Sequence, residues 1–277
     1  MYIKLEVLVC LLFVTIVSYG QDSKEKKVFP STSDEIIIRP SNKTTEQLRE
    51  DTSKISFEIL LEKTNLLQFE PVLVKFNFTN RTDKTLEIFE PNLGRDLRMK
   101  SRSNGRTEIV TKLFNYYVNG PTATKVLKPG ETIQEVILFE PREGMFKGPG
   151  EYEVQFFLAH PNEKVSSNPV NIVVSEPKGV DKEARDFIRA NFLLESDLFD
   201  STRDKILMTR SLLEEFINRF STSGYYEYAV LSLSNLYGLT NEAEKAKNEL
   251  IKLRNTQNEL MNALIEKRLK ALADTPH

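Results

Sequence analysis

The apolar residues of this chain change their period once, near residue 177. Before that point they alternate. Ile55, Phe57, Ile59 and Leu61 interleave with Ser56, Glu58, Leu60 and Glu62, and Val72, Val74, Phe76 and Phe78 with Leu73, Lys75, Asn77 and Thr79. A period of two places one set of side chains on one face, so both stretches predict strands with one buried face. Beyond Glu176-Pro177-Lys178-Gly179 the spacing becomes helical. Ala184, Phe187 and Ile188 start it, and Ile206, Leu207, Leu212, Leu213, Phe216, Ile217 and Phe220 continue it. Such a chain reads as sheet first and helices second, a two-domain β then α fold class.

Further strands are predicted at 85–89, 108–118, 132–139, 151–158 and 169–174. Turn signals at Asn80–Lys84, Asn104-Gly105, Pro129-Gly130 and Pro149-Gly150 separate them. About seven short strands between 54 and 176 argue an antiparallel β-sandwich. Helices are predicted at 181–194, 203–220, 224–239, 241–254 and 257–272, with Asn241 and Glu244 at capping-box spacing. Residues 21–53 are rich in Lys, Ser, Thr, Asp and Glu and read as a flexible arm whose main apolar cluster is Ile36-Ile37-Ile38.

Residues 1–20 read as a cleavable secretory signal. Lys4 precedes an apolar run from Val7 to Val17, and Ser18-Tyr19-Gly20 puts small residues at the third-last and last positions. The run is shorter than the about 20 residues of a membrane span. Cleavage removes Lys4, Glu6 and Cys10, which leaves the net charge at -2 and no cysteine. An exported chain without disulfides fits a bacterial envelope, periplasmic or extracellular, with no integral span after cleavage. The sequons at Asn42, Asn77 and Asn80 matter only on a eukaryotic secretory route.

Two stretches carry resemblances. Phe69-Glu70-Pro71-Val72 opens a strand that ends in Asn80. Leu127-Lys128-Pro129-Gly130-Glu131, Pro149-Gly150-Glu151-Tyr152-Glu153-Val154 and Ser167-Asn168-Pro169-Val170 follow. Together they resemble bacterial immunoglobulin-like sandwich domains. The resemblance implies that Tyr152 opens a late strand and bonds the backbone at a corner. The cysteine pair and tryptophan of antibody domains are absent, since the chain has one Cys and no Trp. In the second half, Leu233-Ser234, Tyr237, Ala246, Leu250 and Leu253 are spaced as in a tetratricopeptide repeat. Phe220-Ser221-Thr222-Ser223 is similar to the turn between neighbouring repeats. The family's closing Pro falls on Asn258, and one unit is recognisable, so an ordinary helical bundle is the alternative.

Chemistry-bearing residues are few. The two His are His160, in the turn His160-Pro161-Asn162, and His277, the last residue. That pair gives no Ser-His arrangement and no His or Cys metal set. Asp197, Asp200 and Asp204 lack the glycine and spacing of a calcium loop. No phosphate-binding glycine loop occurs. Carboxylates are so numerous that a hydrolytic pair cannot be singled out, and strand acids such as Glu151 and Glu153 read as solvated. The net charge and the lack of aromatic interleaving argue against nucleic acid.

The expectation is an exported, non-enzymatic interaction or scaffold protein without cofactor or metal. It binds a protein partner by helix packing or strand addition. A carbohydrate- or protease-directed module, an adhesin or inhibitor, is the alternative, and a carboxylate-dependent hydrolase a third reading. Candidate contacts are the basic stretch from Arg95 to Arg106, chiefly Arg98 and Arg102, which otherwise reads as a polar strand-loop-strand segment, and two aromatic groups, Phe114, Tyr116 and Tyr117, and Tyr225 and Tyr226, for which core packing is the commoner fate.

Overall fold

The structure, a computed structural model, describes residues 43–110, 113, 123–139, 146, 148–159, 165–191, 203–254 and 258–274. The expected signal, Ile36–Ile38, His160, Asp197 and Asp200 lie outside the described residues. Sheets occupy the first part and helices the second.

The first part holds helix α1 (Thr45–Thr52), then strands β1 (Ile55–Leu61), β2 (Asn65–Leu67), β3 (Val72–Asn80) and β4 (Leu86–Phe89). A single helical turn, α2 (Leu93–Asp96), leads into β5 (Leu97–Ser103), β6 (Arg106–Val110), β7 (Thr124–Leu127), β8 (Thr132–Phe139), β9 (Gly150–Leu158) and β10 (Val170–Ser175). They form sheets of order β1-β3-β8, β2-β10-β9-β5-β6 and β4-β7. All pairs are antiparallel except β2 with β10.

The inward residues of these sheets meet in one core. Phe57 stacks on Phe78 at 4.4 Å, and Phe76 meets Phe156 of the other sheet edge-on at 5.4 Å. Both are favoured aromatic arrangements. Asn80, fully buried at the end of β3, donates to the carbonyls of Lys84 and Leu127 and ties the following turn to β7. The Tyr152 hydroxyl donates to the Gly148 carbonyl at 2.8 Å, the backbone bond expected of it, while Phe146 packs on its ring.

Three features differ from the sequence expectation. The end of the expected arm is helix α1, started by a full capping box between Thr44 and Gln47. Its Asp51 and Thr52 accept from the backbone N–H groups of Glu87 and Phe89, so they cover the free edge of β4. Strands β2 and β7 were not expected, whereas the basic stretch 95–106, expected as a polar strand-loop-strand segment, holds β5 and the start of β6. Asn241 does not cap the next helix: it sits at φ 61° and ends the preceding one, and no side-chain cap follows.

The second part holds α3 (Val180–Ala190), α4 (Arg203–Arg219), α5 (Tyr226–Leu239), α6 (Ala243–Lys252) and α7 (Glu259–Asp274). Helix α5 is apolar around its circumference, the signature of a helix buried on all sides. One face meets α3 and α4 through Ile188, Leu213 and Phe216. The other meets α6 and α7 through Leu250, Met261 and Ile265. Ser234 donates to the Ala246 carbonyl, where a small side chain lets α5 and α6 approach closely.

These helices close over the outer face of β1-β3-β8. The register lines up Glu62, Leu73 and Leu138 in one row, and Leu60, Lys75 and Val136 in the next. Leu73 has no exposed surface and belongs to the helical cluster, with Val136 and Leu138 packed against it.

Candidate functional site

The basic stretch does not converge on a pocket. Arg95 grips the buried carboxylate of Asp96. Arg98 folds back to donate to the carbonyls of Arg95 and Leu97, both at 2.8 Å. Arg102 points outward from β5 with Glu153 of β9 at 4.0 Å. Alternation along β5 explains this: Leu97, Met99 and Ser101 face the core, so Arg98, Lys100 and Arg102 must share the outer face. Phe114, Tyr116 and Tyr117 lie outside the described residues. Tyr226 is half-buried against the second helical cluster. Tyr225 is 1% exposed, so it is removed from the candidate contacts; its ring is needed between helices and sheet.

The residues that sequence reasoning missed lie along the seam between the two parts. The turn after β2 is one anchor. Tyr225 donates to the Gln68 carbonyl at 2.6 Å, and Arg185 of α3 bridges the Gln68 side chain and Glu176. Arg189 stands over the Phe69 ring. Phe69 itself has φ 67°, a conformation that side chains other than glycine rarely hold without surrounding support. Gly224 comes so close that an added Cβ would lie 3.0 Å from Leu67.

The second anchor is carboxylate chemistry. Both oxygens of Glu62 lie 3.1 Å from the Tyr228 hydroxyl, which donates to them, and one accepts from the Leu73 N–H. Glu70, 3% exposed, accepts from the Leu67 N–H and pairs with Lys63, whose ammonium also lies over the Tyr228 ring. Burial raises the Glu70 carboxyl above its ordinary value although Leu67 and Lys63 oppose the shift. Burial, joined by the charge of Glu62, also pushes up the Tyr228 hydroxyl and keeps it a proton donor.

Beside this anchor opens a cleft of about 480 Å³, lined by Leu60, Leu61, Glu62, Glu227, Asn258, Glu259 and Leu260. Its wall is the end of β1 on one side and the first turns of α5 and α7 on the other. Leu60 is 56% exposed. Burial, then the charge of Glu62, raises the Glu227 carboxyl. Among the described residues no group of His, Cys, Asp and Glu is arranged to hold a metal, and no helix is long and apolar enough to cross a membrane.

No family model matches the chain, and no curated protein matches it. Solved structures resemble it loosely. A sporulation control protein from Bacillus subtilis aligns at 15% identity and TM-score 0.29 over 50% of this chain, which spans about half (55%) of that protein. The CARDB domain of a Pyrococcus furiosus protein aligns at 12% identity and TM-score 0.26, over 45% of this chain and 96% of that one. Red sea bream transglutaminase aligns at 13% identity and TM-score 0.25, over 44% and 15%. Likenesses this loose carry no argument about function.

Proposed function

We propose that this chain is an exported, non-enzymatic interaction protein of a bacterial envelope, an immunoglobulin-like sandwich joined to a tetratricopeptide-like helical stack. The observation that carries the reading is the cleft at the seam. Two kinds of fold element, strand and helix, build one surface that neither builds alone, and it presents the exposed Leu60 beside acidic groups. Apolar area rimmed by charge is how protein partners are commonly engaged. The secretory signal supports export, and the residues shared with the two families support the two architectures.

The test is photo-crosslinking in cells that export the full chain. A crosslinking residue replaces Leu60 in the cleft, or Val126, 55% exposed on β7, as the control. Capture of one defined envelope protein from position 60 and not from 126 supports the reading. No reproducible capture, with the protein folded and abundant, overturns it and favours glycan arrays as the next screen.

One observation favours a second reading, carboxylate-dependent hydrolysis: Glu227, with a raised pKa, shares the cleft with Glu62. Against it, Glu62 is already engaged by Tyr228 and Leu73. Turnover of a glycoside or ester that disappears in Glu227→Gln would establish this reading.

A further inference from the structure

The edge of β1 is closed at one point and open at the next. Glu62 donates its N–H to Leu73 of β3, whereas Ile59 donates its N–H away from β3, to the Asn168 side chain at 2.8 Å. These two bonds set the parity: odd-numbered residues of β1 turn their backbone groups to the free edge. Asn168 occupies that edge at Ile59, donating back to its carbonyl. Leu61 has the same outward parity and lines the cleft. Among the described residues, no hydrogen bond from outside the sheet reaches its N–H or C=O.

The charge in the lining of the cleft is acidic. Glu62, Glu227 and Glu259 line the cleft, and no Lys or Arg does. Lys63 is engaged by Glu70 and the Tyr228 ring, and Lys75, opposite Leu60 in the register, lies outside the lining. Among the described residues Glu227 and Glu259 form no ion pair.

We propose that this edge and cleft take up an extended, lysine- or arginine-bearing segment of a partner protein, which adds as a strand beside Leu61 and sets its cationic side chains against Glu227 and Glu259. Strand addition uses the open backbone groups for affinity, and the side-chain pockets alternate for specificity. A cation arriving at Glu227 adds to the Lys63 charge in opposing the burial and the Glu62 charge that disfavour its carboxylate. Leu60 supplies apolar contact on the same face. This rests on the interaction reading above and names its surface and partner chemistry.

The test is fluorescence anisotropy of the full chain with labelled peptides in which Lys alternates with Val or Thr. Controls are the same peptides with Glu for Lys, and with alternate backbone nitrogens methylated. Expected is binding of the basic peptide at least about tenfold tighter than the acidic one, and loss of binding on methylation of one parity only. The double variant Glu227→Gln, Glu259→Gln is expected to bind about tenfold more weakly. Leu60→Lys, at an exposed site where folding is not at stake, removes binding. Equal binding of basic and acidic peptides, or binding indifferent to methylation and to Leu60→Lys, overturns the proposal. A basic peptide that fails to bind, while crosslinking still captures one envelope protein, overturns this inference and leaves the interaction reading standing. Absence of any capture removes both.

Discussion

Tyr228 joins the two parts through a single hydroxyl. Its replacement by Phe keeps the ring in place and leaves the Glu62 carboxylate with the Leu73 N–H as its remaining recorded donor. The expected cost is about 1–2 kcal/mol, read as a lower urea midpoint. Tyr226→Phe, at a half-buried ring two residues away, is expected to stay within about 0.5 kcal/mol of the parent. An equal loss in both variants would show that the Glu62 bond is not what matters. Glu70 behaves in the opposite sense. Its folded pKa lies above its ordinary value of 4.5, so its contribution to stability is greatest in acid and falls as pH rises through the folded value. Glu70→Gln removes that titration. The variant is therefore expected to gain on the parent as pH rises from about 4 to 7, and a flat or reversed difference would refute the sign. None of these roles was visible in the residues alone. Glu62 and Glu70 look like any strand-end acids, and the sequence leaves Tyr225 a candidate contact beside the commoner reading of core packing, because aromatic groups at a helix start carry no mark of which way they face.

The elements were legible where their pattern was long. The described helices α4 and α5 fall where the 3.6 spacing put them, and β1, β3 and β8 where alternation did. Short elements were missed for identifiable reasons. Strand β2 has three residues and is defined by its parallel partner β10, which is far away in sequence. Strand β5 was legible only as part of a polar strand-loop-strand segment, since its inward set includes Ser101 and its outward set is basic. Helix α1 is marked in the sequence by the capping box of Thr44 and Gln47 alone, with no apolar run after it to set a period. Edge covering is the element-scale device with consequences. Asn168→Ala takes away both bonds to Ile59 and is expected to cost about 1–2 kcal/mol. By leaving a longer stretch of β1 open, it should also make the chain associate with itself. Sedimentation at rising concentration checks this, and a strictly monomeric variant would count against the edge role.

At the scale of the whole molecule the decisive clue was Leu73, an apolar residue on the wrong parity of β3. With Val136 and Leu138 it makes the outer face of one sheet apolar, and such a face demands a covering layer. The sequence expectation places Leu73 on the outer face with Lys75, Asn77 and Thr79 and reads sheet and helices as two domains. In the structure the helices are that layer. A fragment ending at residue 176 would lay bare Leu73, Val136 and Leu138 next to Leu60, and is expected to precipitate or bind hydrophobic dyes where the full chain does not. A soluble, monomeric fragment with native strand content would refute it.

The seam also determines what the molecule looks like in ultraviolet light. The chain has nine tyrosines and no tryptophan, so no indole drains or overwhelms the phenol emission. Tyr228 has its hydroxyl on a carboxylate, and so does Tyr237, bonded to Glu214 at 2.8 Å. A phenol touching a carboxylate loses its excitation to proton transfer and is dim. Parting helices from sheet would free Tyr228 and brighten it, while Tyr237, inside the helical part, would stay dark until that part itself came undone. The unlabelled protein thus carries an optical gauge that separates opening of the joint from unfolding.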